Sequence, residues 1–198
     1  MNDPRGDLIA LLQLAYSGEL AAAYAYQGHA ASVRDAGEPR RIGEIEQDEW
    51  HHRRLVGEML SGLGAGPDPR RERRAAAIGR TLSALCHVSG WLIPMYGAGR
   101  LERRNIGEYE DAARLALAAD RADLVDCLLS MAEVEWDHEQ YFRSCVLRHR
   151  LATRIPMWDA PPPRESIRSS FSQDSRRFPG EGEIATSPLT SRLREAER

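Results

Sequence analysis

Residues 42–60 read IGEIEQDEWHHRRLVGEML, with Asp48-Glu49-Trp50-His51-His52 at the centre. Ile42, Ile45, Val56 and Met59 recur at the three-and-four spacing of one helix face, and Glu49 and His52 fall on the same stripe. Residues 128–142, LLSMAEVEWDHEQYF, repeat the design: Leu124, Leu128, Met131 and Phe142 mark a stripe that Glu135 and His138 interrupt. Two side chains three residues apart on a helix stand side by side and can grip one ion.

Two more stripes have the same character. Leu8, Leu12, Ala15, Ala22 and Tyr26 surround Glu19, while Met95, Ala98, Asn105, Tyr109 and Ala112 surround Glu102. Glu102 is preferred to the nearby Glu108 and Glu110 because the stripe through Glu108 collects Arg104 and Asp111. A carboxylate in a core seam is costly unless something compensates it. Four carboxylates and two imidazoles at matching depth therefore call for a common partner. A pair of di- or trivalent metal ions would nearly balance the charge, and hard oxygen with imidazole donors suits iron or manganese.

The breakers set the helix limits. The first helix is expected from Asn2-Asp3-Pro4 to about Val33, and the second from Pro39 to Leu63, where Gly64-Ala65-Gly66-Pro67 stops it. Residues 70–119 are too long for one helix, so a break is expected at Ser89-Gly90 and Pro94. The last helix follows Asp120, its expected cap, and reaches Arg150. From Ile155 the composition turns to Pro, Ser, Arg and Gly, which predicts a disordered tail over 155–198 with a short helix near Leu189–Arg198. The two halves are alike: a first helix carries Glu with Tyr seven residues on, and a second carries Glu-x-x-His.

One Glu from each of two helices, with Glu-x-x-His from each of two others, resembles the ferritin-like di-iron carboxylate proteins. The resemblance covers about residues 5–150, and Asp48–His52 looks like the D-E-x-x-H element of that superfamily. The stretches 42–69 and 128–142 look most like its demethoxyubiquinone hydroxylase and rubrerythrin branches. The resemblance implies an all-α, antiparallel four-helix bundle over 1–154, with an extra helical segment between its second and third helices. It implies Glu19, Glu49, His52, Glu102, Glu135 and His138 as ligands to two iron ions, with manganese as a substitute.

The implied activity is dioxygen activation for oxidation or hydroxylation of a small organic substrate, quinone-like or otherwise lipophilic, fed by an unidentified electron donor. The alternative is ferroxidation of ferrous iron for storage or detoxification, alone or inside a protein shell, with the tail end SPLTSRLREAER as a docking peptide. A third reading, a metal-free helical interaction module, needs the six seam residues to be unpaired or paired only with one another.

Around the ligands, Asp48 is positioned to accept the free ring N–H of a ligand His from the facing helix, or else is a solvated acid. Tyr26 and Tyr109 are candidates to hydrogen-bond carboxylates or carry an electron, or are core residues whose hydroxyls find a partner. His51 and His29 read as surface or satisfied interior residues, and His87 has no partner spacing. The run Trp91–Tyr96 reads as core, or as the lining of a pocket leading to the metals.

Composition removes several classes. The net charge of −3 is spread along the chain, so no basic footprint points to nucleic acid. No uninterrupted apolar run of about 18 residues suggests a membrane span, and MNDPRGDL lacks a signal pattern, which makes a cytoplasmic homo-oligomer the expectation. Cys86, Cys127 and Cys145 form no Cys-x-x-Cys pair, against a four-Cys iron module, and their apolar contexts suit reduced thiols.

Overall fold

The computed structural model describes residues 3–35 and 37–177, all of it helix, turn and loop. Helices α1 (Pro4–Ser32), α2 (Glu38–Gly62), α3 (Pro69–Cys86), α4 (Leu92–Ala118), α5 (Val125–Arg148) and α6 (Arg164–Arg177) follow in order. Asp3 caps α1 by accepting from Gly6 N at 3.0 Å, with Pro4 in the first turn, where a missing N–H is harmless. Gly64, at φ 68°, ends α2: Gly64 N bonds Ser61 O and Ala65 N bonds Leu60 O, both at 2.9 Å, the paired bonds of a Schellman motif.

Pairing follows from which residues meet. Tyr16 lies over Arg53 and Tyr24 against Trp50, so α1 and α2 are antiparallel. Contacts of Glu102 with Tyr26 and of Tyr109 with Glu19 set α4 antiparallel to α1. Asn105 with Glu135 and Gly99 with Phe142 do the same for α4 and α5, as His52 with Glu135 and Asp48 with His138 do for α2 and α5. Helix α3, the segment between the two hairpins, instead runs parallel to α1, with Gly79 against Ala21 and Gly28 against Ser83. At Gly28 the backbones approach so closely that a Cβ would stand 2.5 Å from Ser83 Cα.

Every residue of the four stripes is buried except Asn105, which is half-buried. The apolar core falls into two clusters. One is built around Leu8, Leu12, Leu60, Ile106, Leu128 and Met131, the other around Ile42, Ile45, Met95, Phe142 and Val146. The polar middles of the stripes lie between them. By length and composition α1 meets the measure of a membrane span, with half of that window buried inside the protein.

Three expectations are corrected. Asp120 does not cap the last helix. It takes φ 57° and ends α4, with Asp120 N on Leu117 O at 3.2 Å and Arg121 N on Ala116 O at 2.8 Å, a left-handed position that Asp tolerates better than most residues. After a 3-10 turn at Ala122–Leu124, α5 begins at Val125. Nor is all of 155–177 without structure. Ile167 of α6 is buried and Phe171 packs on the first cluster, while Arg168 pairs with Glu133 at 2.7 Å and Asp126 at 2.6 Å. Just before it, Trp158 Nε1 donates to the buried Glu139 at 2.6 Å. The helix expected near Leu189–Arg198 lies outside the described residues. Third, His29 is not satisfied: it is 2 % exposed, yet its Nε2 has no hydrogen-bond partner. Burial pushes it down to about 4.

Candidate metal centre

Because each Glu-x-x-His spans less than one helical turn, α2 and α5 each present a carboxylate and an imidazole to the interior at one level. Glu19 and Glu102 meet them from α1 and α4. All six are at most 4 % exposed. Donor atoms of Glu49, Glu102, Glu135 and His138 lie within 4.8 Å of one another, and so do those of Glu19, His52 and Glu135. Glu135 belongs to both groups. The rings of His52 and His138 are 6.4 Å apart, so the two groups are neighbours in one cavity of polar atoms.

The surrounding contacts are reciprocal. Tyr26 of α1 donates to Glu102 of α4, and Tyr109 of α4 donates to Glu19 of α1. His52 Nδ1 stands 2.9 Å from Glu135 Oε1. His138 Nε2 stands 3.0 Å from Asp48 Oδ2, which turns Nδ1 inward, 3.5 Å from Glu49 Oε1 and 3.8 Å from Glu135 Oε2. Asn105, to which the sequence reading gave no role, donates to Glu102 Oε2 at 3.1 Å and Glu135 Oε2 at 3.4 Å. Its place on the stripe between Glu102 and Tyr109 was the available signal. Tyr26, Phe142 and His29 stack beside the centre, with Tyr26 and Phe142 5.6 Å apart and 11° from parallel.

Electrostatics separate the four carboxyls. Burial raises Glu19, and burial with the charges of the neighbouring carboxylates pushes Glu49 and Glu102 well above the ordinary range. Burial acts the same way on Glu135, but hydrogen bonding with Glu102, His138 and His52 outweighs it and holds this carboxyl well below. Burial would lower His138, yet Asp48 and Glu135 outweigh it and bring the ring to about 9. His52 is raised by Glu135 against the same opposing burial.

The donor set fits a metal. Glu19 Oε2, both oxygens of Glu49 and His138 Nδ1 are buried with no hydrogen-bond partner, and all are atoms of residues in the two groups. Unpaired buried polar atoms are rare because each forfeits its hydration without return. Unpartnered buried donors on residues that lie this close together are what a bound cation would satisfy. The buried Glu/His groups could hold a metal ion.

The remaining candidates lie elsewhere. Glu108 is 9 % exposed and paired with Arg104 at 2.6 Å, outside both groups. His51 and His87 are exposed. Trp91 stacks on His149 and donates to Glu38 at 2.8 Å, lining a cleft of about 510 Å³ with Asp35, Tyr141 and Arg148; none of the six donors lines that cleft. Glu139, fully buried but bonded to Arg143 at 2.7 Å and to Trp158, is a structural anchor. The three cysteines are free thiols. No protein-family model, curated protein or solved structure matches the chain.

Proposed function

We propose that α1, α2, α4 and α5 form a ferritin-like four-helix bundle holding two iron ions, and that the protein is a dioxygen-dependent di-iron oxidoreductase. The observation that carries this reading is the pair of donor groups sharing Glu135, with four of their buried atoms left unpartnered. Oxygen and imidazole donors without sulfur suit iron, with manganese as the alternative. Bound there, two iron ions would supply electrons to dioxygen and Lewis acidity to what binds beside them.

The chain's own residues do the rest. Glu135 spans both positions, which keeps them close. Asp48 holds the proton on His138 Nε2 and leaves Nδ1 free to ligate. Tyr26 and Tyr109 each fix one oxygen of a carboxylate on the neighbouring helix; the second oxygen of Glu19 is left unpartnered, while that of Glu102 is held by Asn105. The stacked Tyr26, Phe142 and His29 keep water from one side.

An organic ring as substrate needs room at the donors. The cavity that touches Glu19 holds about 30 Å³, space for one water, and the larger cleft at Trp91 contains none of the donors. That size favours the second reading, in which ferrous iron itself is oxidised. Aerobic addition of ferrous iron to metal-free protein tests both. Two irons per chain with near-ultraviolet charge-transfer absorption are expected, and Glu135→Ala, which takes a donor from both groups, is expected to lose both. Unchanged iron binding in that variant would refute the centre. Turnover of many irons per chain supports ferroxidation, whereas a fixed two supports an organic substrate.

A further inference from the structure

We infer that the gap between α1 and α4 at Gly18 is the port through which divalent cations reach the buried donors, with Glu108 as the carboxylate that receives them. This rests on the two-metal reading above and adds a route to it. The small cavity there is lined by Gly18 and Glu19 of α1 and by Leu101, Asn105, Glu108 and Tyr109 of α4. Its floor is the centre itself. Glu19 Oε2 is buried there without a hydrogen-bond partner, Tyr109 holds the other Glu19 oxygen, and Asn105 bonds Glu102 and Glu135.

Its mouth is open by composition. Gly18 is exposed, and a Cβ placed on it would meet nothing within 4 Å. Glycine weakens a helix interior relative to alanine, and no close approach demands it here; having no side chain, it leaves its part of the cavity's rim uncovered. Leu101, 37 % exposed, forms the opposite lip. Beside it Glu108 is 9 % exposed, and its partner Arg104 has a side chain 53 % exposed. A pair with one end in water is weak, so an arriving cation can take the carboxylate while the guanidinium swings out to solvent.

Two other approaches are covered. Across α1, Gly28 and Gly79 bring the α3 backbone into contact, and between α2 and α5 the ring of His138 is held by Asp48. A passage the size of one water, with carboxylates at mouth and floor, admits an ion that has shed most of its hydration shell. It rejects anions and organic rings.

The test is stopped-flow mixing of the full, metal-free chain with cobalt(II), read by its visible ligand-field absorption, alongside equilibrium stoichiometry. Wild type is expected to take two cobalt ions per chain. Glu108→Gln and Gly18→Val are each expected to reach the same two, but with loading slowed roughly tenfold or more. Arg104→Ala, which frees Glu108, is expected to load faster. Two ions bound at an unchanged rate in Glu108→Gln would overturn the port while leaving the centre intact, and this isosteric variant decides the matter even if Gly18→Val fails to fold. Fewer than two at equilibrium in Glu108→Gln would also overturn it, since Glu108 would then be a ligand. A wild type that binds none would overturn the two-metal reading and the port together.

Discussion

On the two-metal reading, replacing Asp48 by Ala should weaken one metal position and spare the other. Asp48 touches His138 alone among the six donors, through Nε2 at 3.0 Å. His138 in turn belongs only to the group with Glu49, Glu102 and Glu135, while Glu19 and His52 complete the second group with Glu135. The carboxylate keeps the ring proton on Nε2 and so keeps a lone pair on Nδ1. Without it both tautomers compete and the ring is free to tilt.

Losing such a support typically lowers metal affinity by about 10–100-fold, or about 1.4–2.7 kcal/mol. Folding itself should change by less, because the Asp48 side chain is 44 % exposed and solvent screens the pair, leaving under about 1 kcal/mol. The assay is calorimetric titration of cobalt(II) into metal-free wild type and Asp48→Ala. One binding step should weaken by the stated factor while the other stays within about threefold. Asp48→Asn keeps an acceptor oxygen and should lie between. Equal weakening of both steps, or of neither, would refute the assignment of Asp48 to a single position.

Three further outcomes follow from the same geometry. Cation uptake should release protons near pH 7, because His138, which sits at about 9, must give up its inward proton to ligate; burial and mutual repulsion raise Glu49 and Glu102 in the same sense; affinity should rise with pH, and identical calorimetric heats in buffers of different ionisation enthalpy would contradict this. Burial holds His29 at about 4 against an ordinary 6.5, so below pH 6.5 the unfolded chain binds a proton that the folded chain does not. Stability should therefore fall as pH drops from 6.5 through 4, by up to about 3 kcal/mol; His29→Phe should lose that slope, and parallel urea-unfolding midpoints for the two proteins across this range would sink the idea. Gly28→Ala forces a methyl against the rigid backbone of α3 at Ser83, a cost of about 3 kcal/mol that should lower the melting temperature by about 6–12 °C; an unchanged melting curve would show that α3 does not dock there.

What was legible in the chain was what depends on local register. Apolar spacing alone puts Glu19, Glu49, Glu102 and Glu135 on inward faces, and Gly64 and Gly90 mark real helix breaks. What was not legible depends on contacts between distant residues. Asp120 has the same local signature as a helix cap, and only the bonds to Ala116 and Leu117 reveal it as the end of α4. Helix α6 looks like tail by composition, and it forms because Ile167 and Phe171 find the core while Arg168 finds Glu133 and Asp126. His29 carries no sequence mark of its stacked, unpartnered burial beside Tyr26 and Phe142.

The two halves of the chain match in their donors but not in what stands behind them. Glu49 is preceded by Asp48, which reaches across to His138; at the corresponding place before Glu135 stands Val134, which has no acceptor to offer His52. The group with His138 also has four donors against three. On the two-metal reading, more donors and a braced imidazole would make that position the stronger of the two. Glu19, the donor that lines the gap at Gly18, belongs to the weaker group. An ion entering there would meet the three-donor group first, and Glu135, common to both groups, would be a ligand at either position. On the two-metal reading, the doubled helical pattern would thus give two positions of unequal donor number, with a cation entering at the gap filling the one with fewer donors first.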